Sequence, residues 1–287
     1  MKKILIFGAN GMLAKDFIEI IQGYYTILKA DKEECDIRNF DETNTFIQNT
    51  MPDIIVNLAA YTNVENAEDS ENKTNYEVNA LAVYYLAKIC KEQTIDLITI
   101  STDYVFDGDK IQGYNERDIP NPINQYGMAK YIGEMLAMEE NKKTIIIRTS
   151  WLYGGWPQYK NFVNTMIELE KKKQEFKVIS DQIGNPTYTK HLAKAIKAVL
   201  DHIEKYEGQI LHFSNDTKEE GISRYEFAKN IFEIRKSSGI NLLACTSDEY
   251  KTKAKRPKTG ILKNSSDIQL PDWKEWLKEY IHTIQNA

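Results

Sequence analysis

The sequence predicts an α/β protein: a doubly wound parallel sheet with a smaller α/β lobe at the carboxyl edge of that sheet. First, short β-branched runs alternate with helical patterns up to residue 150, as in successive βαβ units. Second, these runs are almost continuously apolar, which is typical of strands that are covered on both faces. Third, the alternation loosens after residue 150 into mixed helices and short strands, which indicates a separate lobe.

The predicted strands of the first half are, in order, KILIF, YTILKA, DIIVNLAA, DLITIS and TIIIRTS. After the first of them, Leu13, Phe17 and the pair Ile20 and Ile21 recur at helical spacing. Residues 75–93 and 124–140 are long enough for the helical crossovers that parallel strands need. In the second half we expect helices near residues 161–173, 189–203 and 223–237, and short strands near 176–180 and 209–214.

Composition and charge exclude several classes of protein. A chain of 287 residues with 42% hydrophobic content buries a core large enough for one large domain or two modest ones. Glycines interrupt the N-terminal apolar run before it reaches signal-peptide length, and no segment approaches a membrane span. The three cysteines are far apart and odd in number, which suits reduced thiols, and they lack metal-ligand spacing. We therefore predict a cytoplasmic protein with no membrane partner and no metal.

A nucleic-acid partner is also disfavoured, because the formal net charge is −5. Residues 251–258, KTKAKRPK, nevertheless form a local basic cluster.

The first strand-to-helix turn, GANGMLA, stands where such a sheet binds phosphate. Gly8 permits a tight turn, and Gly11 lets backbone N–H groups approach a pyrophosphate at the helix N-terminus. Ala14 permits close packing of the helix. Two glycines three residues apart are also compatible with a purely structural turn. Their place directly after the first strand favours a dinucleotide site.

An acidic residue ends the second apolar run. Asp31 lies at about the distance where a carboxylate accepts hydrogen bonds from the adenosine ribose hydroxyls of NADH. The adjacent Lys32 is instead suited to the 2′-phosphate of NADPH, and a solvated loop pair is the remaining interpretation. The sequence predicts NADPH or NADH as the cofactor and leaves the choice open.

The fourth strand ends in polar residues, since ITIS continues into Thr102, Asp103 and Tyr104. In a doubly wound sheet this edge faces the nicotinamide end of a dinucleotide. Tyr126 and Lys130, four residues apart in YGMAK, share one face of the following helix. We expect the ammonium to lower the pKa of the phenol, and Tyr126 to protonate a carbonyl oxygen that Thr102 holds as hydride arrives at carbon. Alone, the Tyr-x-x-x-Lys pair is also compatible with an exposed helix face.

This order of motifs resembles the extended short-chain dehydrogenase/reductases. Five segments, VNLAAYTNVENAE, STDYVFDG, RTSWLYG, DQIGNPT and AKRPKTGIL, are similar more narrowly to the dTDP-4-dehydrorhamnose reductases, and the resemblance spans nearly the whole chain. It implies a Rossmann domain and reduction of the 4-keto group of dTDP-4-dehydro-L-rhamnose by NADPH or NADH, which gives dTDP-L-rhamnose. It implies that Thr102, Tyr126 and Lys130 are the catalytic residues.

The remaining site residues follow from the same resemblance, together with the analysis of the turn and of Asp31. The cofactor contacts are Gly8, Asn10, Gly11, Met12, Leu13, Asp31, Asp36, Ile37, Ala59, Ala60, Tyr61, Asn79, Tyr126 and Lys130. The sugar contacts are Thr62, Val64, Asp103, Tyr104 and Trp151, and the contacts to the nucleotide diphosphate are Asn185 and Arg256. The chain departs from the family where Ala14 replaces a usual glycine and where Met12 replaces a common glutamine. Met12 leaves one pyrophosphate contact in question.

The resemblance also implies two domains. Residues 1–152, with 187–205 packing back onto them, are expected to bind NAD(P), and residues 153–186 and 206–287 are expected to bind the dTDP-sugar. We expect a monomer or a homodimer. Some relatives are metal-linked dimers, but the sequence offers no assignable ligands for such a metal.

Two other functions remain open at this point. One is a nucleotide-sugar dehydratase, epimerase or different reductase; Tyr104 stands where the related dehydratases carry a glutamate, which disfavours dehydration. The other is a non-catalytic regulatory protein resembling the methionine adenosyltransferase beta subunit, which shares this architecture. An intact set of Thr102, Tyr126 and Lys130 does not exclude it.

Overall fold

The computed structural model describes residues 1–172, 175–218 and 220–285. In chain order the strands are β1 (Lys3–Phe7), β2 (Thr26–Ala30), β3 (Ile54–Asn57), β4 (Asp96–Thr102), β5 (Ile145–Thr149), β6 (Leu152–Tyr153), β7 (Glu175–Ile179), β8 (Ile183–Gly184), β9 (Thr187–Tyr188), β10 (Ile210–His212), β11 (Ile222–Ser223), β12 (Asn241–Cys245) and β13 (Thr259–Gly260).

The helices are α1 (Met12–Ile21), α2 (Phe40–Thr50), α3 (Val64–Ala67), α4 (Asn72–Tyr76), α5 (Ala82–Gln93), α6 (Gln125–Glu140), α7 (Phe162–Lys172), α8 (Thr189–Asp201), α9 (Ile203–Tyr206), α10 (Arg224–Arg235) and α11 (Trp273–Gln285). A π-helical turn, Glu77–Leu81, joins α4 to α5, and a 3-10 turn, Asp103–Val105, follows β4. The predicted helix near 161–173 is found as α7, and residue 173 lies outside the described residues. No helix in the described part of the chain is both long and apolar enough to cross a membrane.

The largest element is a six-stranded sheet with the order β10-β5-β4-β3-β1-β2. Every neighbouring pair in it is parallel. After β2 the chain returns to the other side of β1 to form β3, so the direction of winding reverses between β1 and β3. In open α/β sheets, ligands bind in the crevice at the carboxyl ends of the strands at this switch point.

Both faces of the sheet are covered, which confirms the predicted doubly wound fold. Successive side chains of a strand point to opposite faces, so Ile4 and Ile6 pack with α1 and α8, whereas Leu5 and Phe7 pack with α2 and α5. All four of these β1 side chains are at most 1% exposed. Burial on both faces explains why the strands read as unbroken apolar runs.

A second region lies beyond β5. It contains a two-stranded pairing of β7 with β12, a three-stranded sheet in the order β11-β8-β13, and a short pairing of β6 with β9. Its core is rich in aromatic residues, and Tyr153, Tyr188, Phe227, Trp273 and Tyr280 belong to it.

One strand lies elsewhere than expected. Residues 206–287 are predicted to belong to the nucleotide-sugar-binding part, but β10 within that range pairs with β5 at the edge of the large sheet. Leu211 and Phe213 are buried there against the core that α1 and α8 cover. A three-residue strand carries no local signal of which sheet it joins. The division into two functional domains otherwise stays a prediction.

Candidate active site

The turn after β1 requires glycine. Gly8 has a φ of +73°, and a Cβ atom added there would lie 2.6 Å from the backbone nitrogen of Ala59. Gly11 precedes α1 and supplies no side-chain cap, so no side chain at this position covers the N–H groups of the first helical turn. The turn therefore brings the backbone close to β3 and leaves helix N-terminal donors of the kind that bind phosphate.

A cleft of about 380 Å³ opens at the switch point between β1 and β3. Its lining includes eight of the predicted cofactor residues: Gly8, Gly11, Asp31, Asp36, Ile37, Ala59, Ala60 and Tyr61. Lys32, Cys35, Arg38, Leu58, Thr74 and Val78 line it as well. Glycine backbone, apolar walls and both signs of charge fit a dinucleotide.

Other predicted cofactor residues lie around this cleft rather than in its lining. The backbone N–H of Asn10 donates to the Asp31 carboxylate over 2.9 Å. Leu13 is buried in the core under α1, so only its backbone remains for a ligand. The Met12 sulfur accepts a hydrogen bond from the Asn161 side chain over 3.6 Å. The cofactor roles of these residues stay predictions.

Asn79 braces the end of β3 from the π-helical turn. Its side-chain oxygen accepts from the backbone N–H of Tyr61 over 3.2 Å, and its nitrogen donates to the Tyr61 carbonyl over 2.8 Å. The same nitrogen also donates to the Asn75 side chain. Asn79 is 1% exposed, so it positions the cleft wall through Tyr61. Such π-turns are frequent at functional sites.

Two carboxylates in the lining of the cleft, those of Asp31 and Asp36, already have partners within the protein. Besides the Asn10 contact, the Asp31 carboxylate accepts from the backbone N–H of Lys32 over 2.8 Å. Arg38 forms a salt bridge with Asp36 and a second one with Glu77, the latter over 3.6 Å. The hydrogen bond from Arg38 holds the pKa of Asp36 below its usual range. Arg38 is a cation of this lining that was not among the predicted site residues.

Thr102, Tyr104 and Tyr126 meet at the carboxyl end of β4. The Thr102 hydroxyl donates to Asp103 Oδ1 over 3.1 Å and accepts from the Tyr104 backbone N–H over 3.2 Å. It is also a hydrogen-bond partner of the Tyr126 phenol. The rings of Tyr104 and Tyr126 pack edge to face, with centroids 5.7 Å apart. The structure therefore brings the predicted hydroxyl and phenol of the site together.

The structure corrects the expected effect of Lys130 on Tyr126. Burial raises the pKa of Tyr126, and Asp103 and Tyr104 raise it further, while the Thr102 hydrogen bond opposes them. The Lys130 ammonium instead donates to the carbonyl oxygen of Ile100 over 2.6 Å. Burial lowers the pKa of Lys130 to about 8, and Glu134 opposes that shift. The phenol consequently stays protonated at neutral pH, as a proton donor requires.

Asp103 is the most deeply buried acid of the site, with 3% exposure. Burial raises its pKa to about 7, although the Thr102 hydrogen bond and Arg224 lower it. At neutral pH the group is therefore shared between its neutral and charged forms. In its protonated form the carboxyl group can donate a hydrogen bond as well as accept one.

Trp151, a predicted sugar contact, lies between β5 and β6 in the chain. Its φ of +46° is unusual for a bulky residue, and surrounding structure must hold it in place. A Cβ at Gly184 would lie 2.7 Å from the indole, and the Arg224 guanidinium lies 3.6 Å from the ring centroid. The ring is thus fixed between β8 and the start of α10.

The remaining predicted substrate residues are Arg256, Asn185, Thr62 and Val64. Arg256 forms a salt bridge with Glu65 over 2.8 Å and donates to the Tyr104 hydroxyl over 3.5 Å. The Asn185 side chain is engaged inside the protein, donating to Thr217 over 2.7 Å and accepting from the Leu262 backbone N–H over 2.9 Å. Thr62 is exposed and Val64 half-buried at the start of α3. Their contacts with substrate stay predictions.

Sequence reasoning missed Arg38 and Arg224. Arg38 follows directly on Asp36 and Ile37, which are predicted cofactor contacts, so its position in the sequence could have identified it. Arg224 starts a helix 73 residues after Trp151, and no local pattern links the two.

Comparison with known proteins is consistent with this geometry. The family model described as RmlD substrate binding domain matches residues 1–286. The chain is 37% identical to the spore coat polysaccharide biosynthesis protein SpsK of Bacillus subtilis, with 100% of this chain and 99% of that protein covered. It is 36% identical to the dTDP-4-dehydrorhamnose reductase of Aggregatibacter actinomycetemcomitans, with 97% and 98% covered.

Solved structures are similar over the same length. The crystal structure of dTDP-4-dehydrorhamnose reductase from Bacillus anthracis, in complex with NADP, superposes with a TM-score of 0.92 at 38% identity and covers 98% of this chain and 99% of that one. A reductase of the same name from Clostridium acetobutylicum has a TM-score of 0.92 at 36% identity, with 99% of each chain covered.

Proposed function

The chain belongs to the family of the RmlD substrate binding domain, and from this premise we propose that it reduces the 4-keto group of dTDP-4-dehydro-L-rhamnose to give dTDP-L-rhamnose. The observation that carries the proposal is the meeting of Thr102 and Tyr126 at the carboxyl end of β4, the strand that pairs with β3, with Lys130 buried one helical turn after the phenol. A carbonyl reduction needs a hydride, which a nicotinamide cofactor carries, and a proton, which Tyr126 can donate.

In the proposed reaction, NADPH or NADH, held over the glycine turn, supplies the hydride. Tyr126 donates its proton to the carbonyl oxygen, because the raised pKa of the phenol keeps it protonated until negative charge develops on that oxygen. Thr102 positions the same oxygen through its hydroxyl. Lys130 donates to the Ile100 carbonyl over 2.6 Å and so holds the helix that carries Tyr126 against β4.

The cofactor choice follows from the adenosine end of the cleft. Asp31 there accepts two backbone hydrogen bonds, whereas Lys32 and Arg38 provide cations in the same lining. A carboxylate favours ribose hydroxyls and a cation favours a 2′-phosphate, so we propose that both NADH and NADPH are accepted. Asp31→Ala is then expected to raise the NADPH to NADH ratio of kcat/KM. An unchanged ratio would remove Asp31 from the site.

A direct assay tests the proposed function. The purified chain is supplied with dTDP-4-dehydro-L-rhamnose and either cofactor, and oxidation of the reduced nicotinamide is followed while the sugar product is identified by NMR. We expect one dTDP-L-rhamnose formed per nicotinamide oxidised, and none with dTDP-glucose, which has no 4-keto group. The absence of oxidation with either cofactor would favour the regulatory alternative. A cytoplasmic location and the choice between monomer and homodimer stay predictions.

A further inference from the structure

Asn75 is a buried polar residue that has no part in the proposed reaction as described so far. It lies on α4 and is fully buried. Its side-chain nitrogen donates to the Gln125 carbonyl oxygen over 2.9 Å, and its side-chain oxygen accepts from the Asn79 side chain over 2.9 Å. Neither partner belongs to α4, so the amide connects two other elements: the π-helical turn, which holds Asn79, and α6, which begins at Gln125.

The two partners lead to different parts of the site. Asn79 forms two hydrogen bonds with the backbone of Tyr61, a residue that lines the cleft. Gln125 directly precedes Tyr126, the proposed proton donor. Asn75 therefore completes a continuous hydrogen-bonded path from Tyr61 through Asn79 to Gln125, which we call the amide link.

The direction of each bond in the amide link is fixed by the backbone groups at its ends. A carbonyl oxygen only accepts, so the Asn75 nitrogen faces Gln125 and the Asn75 oxygen faces Asn79. The Asn79 oxygen then accepts from the Tyr61 backbone N–H over 3.2 Å. All three bonds point from Tyr61 toward Gln125, and bonds aligned in this way polarise and strengthen one another.

The helix α6 packs too closely against its neighbours to absorb a displacement of the amide link. A Cβ atom at Gly133 would collide with the Asn79 carbonyl oxygen, and one at Gly127 would collide with the Tyr104 carbonyl oxygen. Because backbone lies directly on backbone at both points, a shift of the π-helical turn is passed on to α6. The position of Tyr126 therefore depends on the same contacts.

Two further groups hold the start of α6. The Gln125 backbone N–H donates to the Glu68 carboxylate over 2.8 Å, and the Tyr76 hydroxyl donates to the Gln125 side chain over 2.8 Å. Among these contacts of Gln125 within the described ranges, only the one with Asn75 continues to Tyr61 and the cleft. Loss of the Asn75 amide should thus leave α6 attached but free it from the wall of the cleft.

We propose that Asn75 is a positioning residue, which fixes the Tyr126 phenol relative to the cofactor-binding cleft by linking Asn79 to Gln125. This role rests on the proposed function, because Tyr126 is the proton donor only in that reaction. Three observations support it: the full burial of Asn75, the bonding of both ends of its amide, and the site residues at the two ends of the link. Placement matters because a displacement of about 1 Å can lower a rate by about a hundredfold.

Kinetic and binding measurements on the full chain test this role. Asn75→Ala and Asn75→Leu both remove the two hydrogen bonds, and the leucine also fills the space. Asn72→Ala is the matched control, since Asn72 lies on the same helix and its side chain donates to the Ala67 carbonyl oxygen over 2.9 Å. We expect the Asn75 variants to lower kcat by roughly tenfold to a hundredfold, with the sugar KM and the NADPH Kd within about threefold of the wild type. Asn72→Ala should match the wild type.

Hydrogen–deuterium exchange provides a readout that does not depend on turnover. NADPH should slow the exchange of backbone amides at the start of α6, residues 125–131, in the wild type and in Asn72→Ala. Asn75→Ala should still bind NADPH but lose most of this slowing, because the path from Tyr61 to the helix is interrupted. If circular dichroism shows that Asn75→Ala is unfolded, Asn75→Leu decides. Loss of the fold in both variants would leave Asn75 a purely structural role and overturn the proposal.

Three other results would also overturn it. The first is wild-type kcat in the folded Asn75 variants, and the second is undiminished slowing of exchange by NADPH in Asn75→Ala. The third is a loss of NADPH affinity as large as the loss of kcat, which would indicate a general distortion of the cleft. Failure of the proposed function is distinguishable, because a wild type that reduces no sugar would refute the reaction, whereas the exchange experiment would still show whether Asn75 connects the cleft to α6.

Discussion

At the scale of single residues, Tyr126 shows how burial prepares a proton donor. Desolvation and the neighbouring Asp103 and Tyr104 favour the neutral phenol, so the proton is held until an oxyanion forms beside it. A phenol whose pKa was lowered by the Lys130 ammonium, as the Tyr-x-x-x-Lys spacing predicted, would be partly ionised nearer neutral pH and to that extent unable to donate a proton. The buried phenol is therefore ready for reduction without a prior proton uptake.

Replacing this donor tests its assignment. Tyr126→Phe keeps the ring and the edge-to-face packing on Tyr104 but removes the acid, so turnover should fall by roughly two to four orders of magnitude. NADPH affinity, measured separately, should stay near that of the wild type. Tyr131→Phe, a hydroxyl deletion on the same helix, serves as the control and should retain turnover. Near-native turnover of Tyr126→Phe would refute the donor role.

Asp103 predicts a pH dependence of stability. Its pKa of about 7 in the fold exceeds the value of about 3.9 expected in the unfolded chain, so the folded state binds the extra proton in between. The contribution of this group to the free energy of unfolding therefore falls as pH rises from about 4 to about 7. Asp103→Asn should flatten the wild-type slope in that window, measured by urea unfolding at several pH values. Identical slopes for both proteins would contradict the raised pKa.

At the scale of elements, the helix that carries Tyr126 and Lys130 is tied to the sheet through a buried ion pair. Arg148 on β5 donates to Glu134 on α6 over 3.0 and 2.6 Å, and the two side chains are 1% and 4% exposed. His212 on β10 lies 3.4 Å from Arg148, and burial together with Arg148 lowers its pKa to about 4, which keeps it neutral. The pair thus links α6 to two strands of the sheet.

Breaking this pair on one side should be costly. Glu134→Gln leaves Arg148 charged and uncompensated in the core, so we expect a loss of about 3–5 kcal/mol in the free energy of unfolding. Glu140→Gln on the same helix removes a partly exposed pair with Lys91 and should cost less than about 1 kcal/mol. Replacing Glu134 and Arg148 together by Leu and Met should recover most of the loss. Equal effects of the two single changes would argue against the buried pair as an anchor.

At the scale of the whole molecule, cofactor binding should stabilise the fold, because the cleft is assembled from elements that are distant in the sequence. A ligand at a hundredfold excess over its Kd that binds only the folded state adds about 2.7 kcal/mol. We expect NADPH to raise Tm in the wild type and in Gly23→Ala. Gly23 also has a positive φ, +86°, but a Cβ there meets nothing within 4 Å.

In Gly8→Ala, NADPH should no longer raise Tm. Its Cβ would collide with the Ala59 backbone at the floor of the cleft, so the turn must move and the phosphate donors with it. Gly8→Ala and Gly23→Ala both place an alanine at a positive φ, so both carry backbone strain. A difference in their NADPH-induced rise in Tm therefore reports the collision with Ala59 alone. A full NADPH response in Gly8→Ala would contradict the role of the turn.

Local patterns in the sequence were enough to predict the features that depend on neighbouring residues. The apolar runs that became β1 to β5, the glycine turn, and the shared helical face of Tyr126 and Lys130 all follow from spacing along the chain. The resemblance of the motifs to the reductase family also predicted the reaction. Three features became visible only in the folded chain: the pairing of β10 with β5, the stacking of Arg224 on Trp151, and the rise in the pKa of Tyr126 through burial. The physical reason is that desolvation and long-range charge depend on groups that folding brings together from distant parts of the chain, and no local pattern records them.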